Sequence, residues 1–164
     1  ANICICKHSG TKGRRVLDLG QYVPYLLNRA GRRVADAFTR ELGGFGVTLP
    51  MWRVMTSLRS EGPQRLGDLS ELTAIEASTL SRLLGQMETK GLVRRARSRG
   101  DARAITVSLT PRAAALTGRI VPLALRYEQV ALAGMSDAEV AILKRLLTQM
   151  HRNLADLMHD KPAG

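Results

Sequence analysis

Apolar positions along this chain follow two different periods, and the changes of period mark out its elements. From Val16 to Leu42 they recur at helical spacing, as Val23, Leu26, Leu27, Ala30, Val34, Ala37 and Phe38. Pro24 is tolerated in a first turn but not deep inside a helix, so regular helix should begin at about Tyr22–Pro24 after an irregular lead-in. Gly43, Gly44 and Gly46 end it. Thr48 and Pro50 supply the cap and first turn of a second helix, which carries Trp52, Val54, Met55 and Leu58 and stops at Gly62-Pro63. A short helix near Leu66–Leu72 should turn Leu66, Leu69 and Leu72 inward. After a turn at Thr73–Ile75, a fourth helix is expected from about Glu76 to Lys90, closed by Gly91.

The period then drops to two. Leu92–Arg97 and Arg103–Leu109 read as the arms of a hairpin, because Ile105, Val107 and Leu109 alternate with Thr106 and Ser108. Ser98–Ala102 is its tip, with Gly100 supporting the turn. Thr110-Pro111 opens a fifth helix that runs towards Ala133 and ends at Gly134. A kink is expected at Pro122, which cannot donate to the carbonyl of Gly118. Ser136 and Glu139 form the S-x-x-E start of a sixth helix, striped by Val140, Leu143, Leu146, Leu147, Met150, Leu154 and Leu157.

The fold class is therefore mainly α with a small β wing. Two short helices followed by a hairpin is the order of a winged helix-turn-helix. The first, fifth and sixth helices carry more apolar surface than one small winged domain can bury, and this predicts dimerisation helices at both ends. The expected segments are a polar tail at 1–15, an N-terminal dimerisation helix at 16–46, the winged region at 47–110 and C-terminal dimerisation helices at 111–164.

Charge sharpens this picture. The net charge of +11 favours a polyanionic partner. It is also focused: Arg82, Lys90, Arg94, Arg95, Arg97, Arg99 and Arg103 fall within one stretch, opposed by Glu88 and Asp101 alone. On a helical wheel Leu80, Leu84 and Met87 share one side of the fourth helix, with Leu83 at the edge. Ser78, Arg82, Gly85, Gln86 and Thr89 share the other. Arg can fork onto guanine and Gln can pair with adenine, while Ser78 and Thr79 suit phosphate or base-edge contact. Such a face, taken alone, equally describes a solvated helix surface. The hairpin tips the balance towards double-stranded DNA, because its arginines have no obvious acidic partners nearby except Asp101. That residue is placed to brace Arg103.

Other chemistries find little support. No apolar run is long enough to span a bilayer, and the expectation is a cytoplasmic protein with no membrane partner. His8, His151 and His159 form no ligand motif, and no nucleophile elbow or phosphate loop is present, so an enzyme is not expected and no cofactor is implied. Cys4 and Cys6 make no disulfide framework. With His8 they could hold part of a metal site, which keeps a redox- or metal-responsive regulator as an alternative, beside an architectural DNA binder without ligand control.

From about Val47 to Leu157 the chain resembles the MarR family of regulators. The resemblance lies in Asp101-Ala102-Arg103 followed by Ile105, Val107 and Leu109-Thr110, in LSRLLGQMETKGLVRR from Leu80, and in MSDAEVAILKRLL after Gly134. It implies a homodimeric transcriptional regulator, a repressor, on a pseudo-palindromic operator. The DNA-contacting residues would be Ser78, Thr79, Arg82, Gln86, Thr89, Arg97, Arg99 and Arg103. It also implies an effector pocket between the dimer helices and the winged region. Tyr22, Tyr25 and Arg29, with Trp52 and Met55, are the candidates there, for a small aromatic carboxylate or phenol. Plain core packing is the other reading of these aromatics. The family's peroxide-sensing branch uses a Cys near the start of the first helix and its urate-responsive branch a Trp there; this chain has neither between Val16 and Leu42.

Overall fold

The structure, a computed structural model, describes residues 17–97 and 105–159. Its elements are α1 (Val23–Gly43), α2 (Leu49–Glu61), β1 (Gln64–Arg65), α3 (Leu66–Thr73), α4 (Ala77–Thr89), β2 (Val93–Arg97), β3 (Ile105–Leu109), α5 (Pro111–Ala131) and α6 (Asp137–His159). The chain divides within α1 into two units, residues 1–33 and residues 34–164.

In the first unit, helix begins at Val23 with Pro24 in its opening turn, where no amide hydrogen is needed. Leu17, Leu19, Tyr22, Val23, Tyr25, Leu26 and Leu27 are all exposed. Residues 1–16, and with them Cys4, Cys6 and His8, lie outside the described residues.

The second unit holds the core. Phe38 and Leu42 from α1 meet Met51, Val54, Met55 and Leu58 of α2, Leu69 of α3, and Leu80, Leu84 and Met87 of α4. Val93, Val107, Ala113 and Ile120 close it from the sheet and α5. Two caps that the sequence spells out are formed: Thr48 Oγ1 accepts from the Met51 amide, and Thr110 Oγ1 accepts from the Ala113 amide. Ser136 and Glu139 make the reciprocal box at the start of α6.

Three details differ from the expectations. A two-residue strand, β1, pairs antiparallel with β3, Gln64 opposite Val107 and Arg65 opposite Thr106, giving a sheet of order β1-β3-β2. It follows Pro63 directly, so two residues of turn sequence carry no period from which a strand could be read. Leu72 is 48% exposed rather than inward. The buried side of α3 is centred on Leu69 and Thr73, an i, i+4 pair, and the Thr73 hydroxyl is satisfied by donating to the Leu69 carbonyl. Ile105 is also exposed, although strand parity puts it on the same face as the buried Val107.

Candidate nucleic-acid interface

Helix α4 is built to keep one face free. Leu80, Leu84 and Met87 are buried at i, i+4 and i+7, which fixes the rotation of the helix on the core. Ser78, Thr79, Arg82, Gln86 and Thr89 are therefore all exposed on the remaining surface. The Thr89 hydroxyl donates back to the Gly85 carbonyl, which leaves its oxygen free to accept.

The start of α4 holds a residue that the sequence reading treated only as a boundary. Glu76 is the N-cap: its carboxylate accepts from the amides of Ser78 at 2.9 Å and Thr79 at 3.1 Å, and from the Ser78 hydroxyl. These hydrogen bonds, the Ser78 hydroxyl first, hold its pKa down at about 2. In this arrangement Ser78 has already given its proton, so its oxygen faces solvent as an acceptor. The signal was present in the sequence as Glu76 two residues before Ser78, but Glu is not among the favoured N-cap types.

The far end of α4 turns into the wing through Gly91, whose φ of +66° is the left-handed conformation that closes a helix. The Leu92 amide donates to the Met87 carbonyl at 2.8 Å. Thr110 then ties three elements together. Its hydroxyl donates to the Gly91 carbonyl at 2.7 Å while capping α5, and its amide donates to Leu92.

Along the wing, strand parity sorts the arginines. Val93 is buried, so Arg95 shares its face and turns inward, while Arg94 is exposed on the other face. Arg95 Nη2 donates to the Ser81 carbonyl at 3.0 Å, its amide donates to Glu88 Oε1 at 3.4 Å, and its Nε lies 3.6 Å from Glu88 Oε2. This corrects the expectation that the wing arginines lack acidic partners: Arg95 has Glu88. Backbone pairing of β2 continues to Arg97 opposite Ile105. The Arg97 side chain, Arg99, Arg103 and Asp101 lie outside what is described, so the bracing of Arg103 by Asp101 stays an expectation.

The expected effector residues are placed differently from one another. Tyr22, Tyr25 and Arg29 are exposed at the start of α1. Arg29 lines an open concavity of about 510 Å³ with Leu26, Ala30 and Arg33. In the second unit Met55 is fully buried, and Trp52 is half-buried, edge-on to Phe38 with centroids 5.4 Å apart. A larger concavity there, about 950 Å³, is lined by Glu61, Gln64, Asp68, Glu71, Leu72, His151 and Ala155. Its three carboxylates disfavour an anionic occupant. Among the described residues no cluster of metal-ligating side chains is present, and no helix is long and apolar enough to cross a membrane.

A short helix, a tight turn, a second helix with a hydrogen-bonding free face, and an antiparallel hairpin rich in arginine together define a winged helix-turn-helix. Residues 47–105 match the model of the MarR family. The chain superposes on a MarR-family transcriptional regulator from Silicibacter pomeroyi with a TM-score of 0.76 and 29% identity, covering 83% of this chain and 92% of that one. BpsR of Bordetella bronchiseptica, whose DNA binding is regulated by 6-hydroxynicotinic acid, gives 0.74 and 27%, over 83% and 97% of the two chains. The transcriptional repressor NicR of Pseudomonas putida is 25% identical over 133 residues, 81% of this chain and 84% of its own length.

Proposed function

We propose that this protein is a homodimeric, sequence-specific DNA-binding repressor, released from a pseudo-palindromic operator by a small aromatic carboxylate or phenol. The observation that carries the reading is the free face of α4. Arg82 and Gln86, the two side chains best suited to base edges, stand exposed one turn apart on a helix whose rotation the core fixes. Each α4 enters a major groove, and the half-sites lie about one helical turn apart, ~10 bp. Residues 47–110 read the DNA, with the wing arginines Arg97, Arg99 and Arg103 on the backbone or minor groove. The helices on either side, 16–46 and 111–164, supply the dimer contacts.

Two observations support an anionic aromatic effector. Arg29 and Arg33 share a concavity on the first unit. The effector named for BpsR is itself a hydroxylated aromatic carboxylic acid.

The test of DNA reading is a titration of operator variants with wild type and Arg82→Ala. The substitution should cost ~1–3 kcal/mol on the cognate site and relax preference at one position per half-site. An equal loss on every sequence would make Arg82 a phosphate contact instead.

A further inference from the structure

The wing arginines are not equivalent, and the position of Arg95 sets it apart. Its side chain lies along one stripe of α4, over Ser81, Gly85 and Glu88, which are i, i+4 and i+7. Gly85 leaves this stripe low: a methyl group built there would already be in van der Waals contact with Arg95 Nη2, at 3.9 Å. Arg95 is about one-third exposed, and its Nε, buried without a hydrogen-bond partner, forms an ion pair at 3.6 Å with the Glu88 carboxylate. A cation already paired with a neighbouring carboxylate displaces few of the counterions condensed on DNA. It contributes little to phosphate binding.

We propose that Arg95 is a positioning residue of operator recognition: it clasps β2 to the flank of α4 through Glu88 and the Ser81 carbonyl, so that wing and reading helix meet DNA as one body. The inference rests on the DNA-binding reading above. Val93 in the core and Thr110 on Gly91 hold the wing at its base. Arg95 sits two residues further out, where β2 leaves the core. Without the clasp β2 swings about that base, and the wing loses its fixed angle to the face of α4 that bears Arg82 and Gln86. The clasp therefore acts on specificity, through geometry, while its own charge stays on the protein.

The experiment measures operator and non-specific DNA affinity across a range of salt for wild type, Arg95→Ala, Arg95→Lys, Glu88→Gln and the double variant Arg95→Ala/Glu88→Gln. Thermal melts check that each is folded. Arg95→Ala should weaken operator binding about tenfold per half-site, because a wing no longer held against α4 must be ordered on binding. Its slope of log affinity against log salt should match that of wild type, and non-specific binding should change little. Arg95→Lys should restore only part, since an ammonium cannot span Ser81 and Glu88 as a planar fork does. Glu88→Gln should weaken the operator complex in the same direction, and the double variant should be no worse than Arg95→Ala alone. If the slope of Arg95→Ala falls by ~0.9 with equal losses on both DNAs, Arg95 is a phosphate contact and the proposal is overturned. Unchanged operator affinity, or strictly additive effects of the two substitutions, overturns it as well. Should Arg95→Ala fail to fold, Glu88→Gln with Arg95→Lys decides by the same slope. Wild type that binds no DNA at all would instead refute the underlying function, and this inference with it.

Discussion

At the scale of single residues, helix α4 is governed by two carboxylates that a basic stretch does not advertise. Glu88 takes up the charge of Arg95, and Glu76 takes up the first amides of α4. Glu76 illustrates how position outweighs type. Its carboxylate meets the positive end of the helix and two free amide donors, which stabilise the ionised form. The folded pKa of about 2 lies below the ordinary value of 4.5, so its contribution to stability is complete above pH 4.5 and is lost as pH falls towards 2. Glu76→Ala should accordingly lower the melting temperature at neutral pH, and the gap to wild type should narrow through that acid window. Melts at a series of pH values check this; a gap that stays constant down to pH 2 would show that the loss is not electrostatic.

At the scale of elements, the contrast is between α2 and α5, which bury apolar residues within the chain, and α6, whose apolar stripe is exposed among the described residues. Helix α2 buries Met51, Val54, Met55 and Leu58, and α5 buries Ala113, Thr117 and Ile120. Arg59 of α2 adds a hydrogen bond to the Ala114 carbonyl of α5. Helix α6 is different: Ile142, Leu146, Leu147 and Leu154 are all exposed, and a salt bridge joins its Lys144 to Glu128 of α5. An apolar stripe of this length marks an interaction surface. With Leu147 and Leu154 two turns apart on one side, Leu147→Glu/Leu154→Glu should place two charges in the proposed dimer contact. Sedimentation should then show a monomer where wild type is a dimer. Operator affinity should fall too, since the second half-site is no longer tethered. A variant that still sediments as a dimer would move the interface elsewhere.

At the scale of the whole molecule, release from DNA is a question of linkage. A ligand with equal affinity for the free and DNA-bound forms shifts nothing, however tightly it binds. An effector must therefore prefer the free protein, and operator must weaken ligand binding by the same factor by which ligand weakens operator binding. Calorimetry with benzoates, cinnamates and phenols should find a binder whose affinity drops when operator is present, and Arg29→Ala should abolish it. Binding that ignores both operator and Arg29 would refute the effector site.

Local chemistry was enough to place most of the elements. Thr48-Leu49-Pro50, Thr110-Pro111 and Ser136 with Glu139 cap their helices through neighbours three residues away, so the information is contiguous in the chain. The rotation of α4 was legible for the same reason, since burial of Leu80, Leu84 and Met87 follows directly from their spacing. Contacts between distant segments were not legible. β1 is defined only by the strand it pairs with, more than forty residues later, and Leu72 turns outward because the neighbours of α3 select Leu69 and Thr73. The Arg95 clasp combines both kinds of information. Its strand parity is written beside Val93, but its partners Ser81 and Glu88 come from another element, fourteen and seven residues back. An arginine's role depends on which carboxylate it reaches. That distance exists only once helix and wing have packed.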